Sequence, residues 1–230
     1  MSAENKEKGE VAVQRIFLEP LSTVLHLIAG LLALPGTLWL LWLARHDPAR
    51  VVSLLVYGVS LVALFAASSL LHGLRAPARV RDWLNRLDHA AIFVLIAGTY
   101  TPIVAHLFPA PWRAPLLLLV WTVAAMGVAH KLVSVSIHGF FSVAIYLALG
   151  WGGALPVTLS PSLRALIPTP ALGLLLLGGL IFTVGFVVYY WERPDPWPGV
   201  FGHHEIWHLF VIGGSLCHYL VMLLYVAPVR

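Results

Sequence analysis

From Leu21 onward the chain is a succession of apolar stretches, each near the length of a membrane-crossing helix and each closed by proline or charge. Crossing the hydrocarbon core of a bilayer takes about 20 mostly apolar residues in a helix, because backbone amides there have no water to bond and must satisfy one another. Read at that length, seven segments qualify: 21–43, 51–73, 87–107, 114–130, 138–159, 171–191 and 204–226. They are separated by Arg45-His46-Asp47-Pro48, the basic run from Arg75 to Arg86, Pro109-Ala110-Pro111, residues 131–137, residues 161–170, and Pro194-Asp195-Pro196-Trp197-Pro198. Composition points the same way: 60% of the residues are hydrophobic and 10% charged, against roughly a quarter charged in a soluble domain. The expectation is an all-α integral membrane protein, a seven-transmembrane helix bundle. Glycine and proline blur the fifth and sixth segments, so the residues alone leave six or eight spans as alternatives.

Residues 1–20 read as a short tail and 21–230 as a single transmembrane domain. The tail lacks an apolar core followed by a small-residue cleavage site and so does not read as a secretory signal. Lys and Arg favour the cytoplasmic side of membrane proteins. With the N-terminus inside, the inner segments hold Lys6, Lys8, Arg15, Arg75, Arg79, Arg81, Arg86, Lys131 and Arg193, and the outer ones Arg45, Arg50, Arg113, Arg164 and Arg230. That excess predicts a cytoplasmic N-terminus and an external C-terminus. Topology thereby accounts for the net charge of +4, and no basic stripe asks for a nucleic-acid partner. The single cysteine, Cys217, excludes an intrachain disulfide and a cysteine-rich zinc site, and reads as a packing residue. Gly178-Gly179 and Gly213-Gly214 permit close helix approach, within one chain or between two.

Ionisable groups at membrane depth are costly and mark candidate functional sites. His204 and His208 are four residues apart, so their rings leave one face of the last span a helical turn apart. Ser68 and His72 have the same spacing at the end of the second span, and Asp88 opens the third. The charge-derived topology brings all these segment ends to one depth on the cytoplasmic side. Three neutral imidazoles with an open fourth position suit a catalytic Zn²⁺, which lowers the pKa of bound water to about 7; copper and nickel share the ligand preference. His218 lies ten residues past His208, about 15 Å deeper, and reads as hydrogen-bonded within the bundle. His26 and His89 are left undecided.

The same letters, His204-Glu205-Ile206-Trp207-His208, fit the H-E-x-x-H helix of zinc metalloproteases, in which the glutamate is the general base. Such a protease would be expected to take its third ligand from a later aspartate. Only Cys217, His218 and mostly apolar residues follow, and Asp88 would have to serve instead.

Three blocks in order carry a resemblance: Ser68-x-x-x-His72, the run Arg86-Leu87-Asp88-His89 through Gly98-Thr99-Tyr100-Thr101-Pro102, and His204-x-x-x-His208 with Gly213 and His218 behind it. They resemble the signature blocks of the hemolysin III proteins, the bacterial branch of the progestin and adipoQ receptor family, over nearly the whole chain. The resemblance implies a seven-helix bundle of a bacterial-type cell membrane, with a cytoplasmic N-terminus and zinc on His72, His204 and His208. Asp88 would orient or deprotonate zinc-bound water, Ser68 would contact that water or a substrate oxygen, and Glu205 would lose the role of base. Relatives have been linked to ceramide hydrolysis, hormone reception and membrane lysis. The expected function is a zinc-dependent hydrolase of a membrane lipid amide or ester; the alternatives are a pore-forming lysin with structural zinc and a ligand sensor, for which the short tail offers no docking segment.

Overall fold

A computed structural model of the chain describes residues 18–133 and 140–228, apart from the side chains of 140–144 and 155–156. The expected tail with Lys6, Lys8 and Arg15, most of the 131–137 link, His138 and Arg230 lie outside the described residues. Those described form α1 (Pro20–Leu43), α2 (Pro48–Gly73), α3 (Ala78–Leu107), α4 (Ala110–Val133), α5 (Phe140–Gly152), α6 (Ala154–Leu159), α7 (Pro161–Arg164), α8 (Thr169–Trp191) and α9 (His203–Val221). A π-helical turn, Met222–Val226, prolongs α9. No β-strand occurs among the described residues. Among the described residues six helices are long and apolar enough to cross a membrane: α1 to α4, α8, and α9 with its π turn.

Two boundaries differ from expectation. The basic stretch Ala78–Arg86, expected as a break, is the opening of α3. Its residues are mostly adequate helix formers, and Arg86 Nε donates to Asp82 Oδ2 at 2.9 Å across one turn. Apolarity marks where a helix enters lipid, whereas helical propensity continues into the interface. The fourth span is likewise longer than its apolar core: Pro111 falls in the first turn of α4, where amide donors are not needed, and the helix continues through Pro115.

The fifth expected span is not one helix. It is divided at Gly153 into α5 and the six-residue α6. Pro156 has no amide proton to offer the carbonyl four residues earlier. Tyr100 of α3 fills the break: its hydroxyl donates to the Leu149 and Gly150 carbonyls at 2.9 and 3.0 Å and accepts from Gly153 N at 2.8 Å. A side chain at position 153 would run into the Tyr100 ring.

The bundle is apolar outside and carries polar side chains within an apolar core that includes Leu40, Leu54 and Phe65. Ser22, His26, Ser60, Ser68, His72, Thr99 and His208 are buried, while Leu31, Leu32, Leu38, Leu118 and Leu119 are exposed, as lipid on the outside requires. Neighbouring helices pack in chain order from α1 to α4, α8 packs on α9, and α9 returns to α1. The ends carrying His72, Asp88 and His204 meet at one end of the bundle. At the other end Arg50 donates to the carbonyls of Val226 and Pro228 at 2.5 and 2.9 Å, holding the final turn to α2.

Gly178 and Gly214 serve packing within the chain, between α8 and α9. A methyl group at position 178 would come within 2.6 Å of His218 Nε2 and 3.1 Å of the Gly214 carbonyl oxygen. Gly178→Ala is therefore expected to destabilise the bundle by about 1–3 kcal/mol, the usual cost of overpacking, read as a lowered thermal midpoint in detergent.

Candidate metal centre

The site is assembled where α9 begins. Gly202 leads into the helix, and the Glu205 side chain turns back so that Oε2 accepts from Gly202 N at 2.9 Å. Its Oε1 accepts from Ser22 Oγ of α1 at 2.9 Å. A carboxylate there suits the positive end of the helix. Both Glu205 oxygens are thus engaged in capping and docking, and H-E-x-x-H is a misleading match: its glutamate is held at the helix terminus instead of acting as a base beside the histidines.

His204 and His208 point inward from the first two turns of α9, and His72 meets them from the end of α2. One ring nitrogen from each lies within 4.8 Å of the others. His204 Nε2 is 3.1 Å from His208 Nε2 and 3.4 Å from His72 Nε2. The three rings are mutually inclined, at 61° for His72 and His204, 70° for His72 and His208, and 50° for His204 and His208. Among the described residues this trio is the group able to hold a metal ion.

The carboxylate of Glu19, one residue before α1, accepts from His72 Nδ1 through Oε2 at 2.7 Å. The Glu19 amide donates to the His72 carbonyl at 2.9 Å. The hydrogen bond from His72 holds the Glu19 carboxyl below its ordinary pKa, against the opposing effect of burial. Because a carboxylate can only accept, neutral His72 carries its proton on Nδ1 and presents a lone pair at Nε2. At most one proton can then serve the contact between His204 and His208. Converging nitrogens short of protons are what a cation needs, and tetrahedral Zn²⁺ with bonds of 2.0–2.1 Å would separate its ligands by about 3.3 Å. Two of the three separations, 3.1 and 3.4 Å, fit that requirement, and the ring nitrogens of all three lie within 4.8 Å of one another.

A family model described as Haemolysin-III related matches residues 14–219. The chain belongs to that haemolysin III family. Hemolysin-3 of Bacillus cereus is 35% identical to it over 224 residues, 96% of this chain and 98% of the relative. The hemolysin-3 homolog of Bacillus subtilis is 33% identical over 210 residues, 90% and 94% of the two chains. The human monocyte to macrophage differentiation factor is 28% identical over 168 residues, 71% of this chain and 66% of the relative. This haemolysin III protein is a multi-pass integral membrane protein, consistent with a bacterial inner membrane.

In the haemolysin III chain the histidine trio stands at one end of an internal cavity of about 720 Å³. Ser68 and Asp88 share that end of the wall, and Leu61, Leu95, Ile103 and Leu172 are among the apolar groups along the rest. Asp88 interacts with the Ser68 hydroxyl and with the His72 ring, so the four sequence candidates from α2, α3 and α9 and the fifth, His208, are neighbours. His89 also lines the cavity, and its Nδ1 donates to the Asn85 carbonyl at 2.9 Å while lying 3.8 Å from Asp88 Oδ2. His218 is remote, facing the Leu175 carbonyl at 3.4 Å.

Three participants were not read from the sequence. His26, left undecided, stacks on His208 with ring centroids 3.9 Å apart and an interplanar angle of 21°. Lys131, counted as a loop charge, is fully buried and lines the cavity, its Nζ 5.8 Å from the Tyr146 ring centroid. Glu19 falls, by sequence, in the tail ahead of the first span. Its only sequence signal is a carboxylate directly ahead of the first span, at the membrane face that the charge pattern also assigns to His72.

Proposed function

We propose that this haemolysin III family member is a zinc-dependent hydrolase of a lipid amide or ester, with the histidine end of the bundle facing the cytoplasm. The observation that carries the reading is the convergence of three imidazole nitrogens beside Asp88 at the end of an apolar cavity. Zinc held by His72, His204 and His208 would polarise the scissile carbonyl and acidify a water molecule. The remaining work belongs to the chain.

The cavity wall takes the hydrocarbon portion of the substrate out of water and leaves its polar linkage at the histidine end. Asp88 accepts a proton from water as the water oxygen bonds to the carbonyl carbon. As the carbon–nitrogen or carbon–oxygen bond breaks, Asp88 returns that proton to the leaving nitrogen or oxygen. The products are a fatty acid and an amine or alcohol. Ser68 holds the Asp88 carboxylate in place, or donates to the carbonyl oxygen as negative charge develops there.

The test is direct. Purified protein in detergent, loaded with zinc, is given a lipid amide such as ceramide or a lipid ester, and fatty acid release is followed by mass spectrometry. Release that depends on zinc and is lost in His72→Ala supports the reading; no release from any such lipid by the zinc-loaded protein contradicts it.

The name hemolysin-3 carried by the Bacillus cereus relative favours a second reading, in which the bundle lyses membranes and its zinc is structural. Dye release from liposomes that survives loss of all three histidines would select it.

A further inference from the structure

We propose that Glu19 is the positioning residue of the histidine trio, holding the His72 proton on Nδ1 and thereby aiming the Nε2 lone pair at the ion. The inference rests on the metal-centre reading above and extends it to a residue outside the conspicuous histidine blocks.

A neutral histidine has two tautomers, and the hydrogen bond made by one ring nitrogen decides what the other can do. In His72 the choice is made by the Glu19 carboxylate, 2.7 Å from Nδ1. The alternative tautomer would set two lone pairs against each other at Nδ1 and place a proton on Nε2, among the other ring nitrogens. A carboxylate partner also enriches the imidazole as a donor and fixes the rotation of its ring. His72 sits on the final turn of α2, where fraying would otherwise loosen it.

The surrounding bonds show why residue 19 can do this. Its own amide is tied to the His72 carbonyl at 2.9 Å, so the carboxylate is delivered from a backbone already anchored to the residue it orients. Three residues later Ser22 donates to Glu205 at 2.9 Å, anchoring the same turn to the helix that carries His204 and His208. A single turn at the start of α1 is thus bonded to both helices that supply ring nitrogens. The Glu19 Oε2 is also 3.9 Å from His204 Nε2, adding negative charge beside the second ring.

The experiment is a competition for zinc between a chromophoric chelator and the purified full-length protein, for wild type, Glu19→Gln and Glu19→Ala, with the thermal midpoint of each zinc-free protein measured alongside. Outer partners of metal-bound histidines are typically worth 10–100-fold in affinity. Glu19→Ala is expected to bind zinc weaker by that factor, and Glu19→Gln, which keeps an acceptor oxygen without the charge, to fall between. Glutamine preserves the shape of the side chain, so it decides the matter if the alanine variant does not fold. A zinc-loaded wild type with equal affinity in Glu19→Gln and Glu19→Ala overturns the role of Glu19 alone. A lowered zinc-free midpoint with unchanged affinity makes the contact a structural staple and overturns it too. A wild type that binds no zinc overturns the metal centre itself.

Discussion

Asp88→Asn is expected to reduce lipid hydrolysis by about 10²–10⁴-fold, the range that a general acid–base group contributes, while zinc content stays close to that of the wild type. The asymmetry follows from position. Asp88 lies beside the trio and interacts with Ser68 and His72, but it is not one of the three groups whose ring nitrogens converge. Asparagine occupies nearly the same space and can still bond Ser68, so the cavity wall is preserved. It cannot take a proton from water or return one to the leaving group. Steady-state fatty acid release and metal analysis on the same preparation check both halves. Unchanged turnover removes Asp88 from the chemistry, and joint loss of zinc and turnover makes it a metal ligand.

His208→Ala is expected to strip the site of metal. His208 is almost fully buried, at 2% exposure, its Nε2 is 3.1 Å from that of His204, and its ring is stacked on His26. Alanine removes one of three donors and the ring that stacks on His26. Two imidazoles hold zinc far less well than three, so the loss of affinity should exceed the 10–100-fold expected for an outer partner such as Glu19. Zinc per chain after purification should fall to near zero. His46→Ala, at an exposed position by the opposite end of α2, should keep the wild-type content. Retention of zinc in His208→Ala would place the ion elsewhere.

Much of the architecture is legible in the apolar runs, because the length of hydrocarbon to be crossed is a constraint that each span meets locally. Leu21 to Leu43 needs no partner to declare itself. The ends are less legible: Ala78–Arg86 is helical for reasons of propensity and the Asp82–Arg86 pair, which hydropathy does not register. The division at Gly153 depends on Tyr100 arriving from another helix, a contact invisible along the chain. The same distinction runs through the site. The four-residue spacing of His204 and His208 is local, and the order of the spans is enough to suggest that His72 and Asp88 share an end of the bundle, where the structure has them. The five-letter motif match would make Glu205 a base, yet its orientation is decided by Gly202 and by Ser22, 183 positions away. Glu19 and His26 become part of the site only when α1 closes against α2 and α9, and no periodicity in α1 announces that contact.

The central claim is that His72, His204 and His208 hold zinc at the end of the cavity. The measurement that tests it most directly is zinc X-ray absorption on detergent-purified wild-type protein, with metal content determined on the same sample. About one zinc per chain is expected, with an absorption fine structure showing three imidazoles at 2.0–2.1 Å and one imidazole fewer in any zinc retained by His72→Ala. A folded protein without zinc, or zinc whose surroundings contain no imidazole, would contradict it.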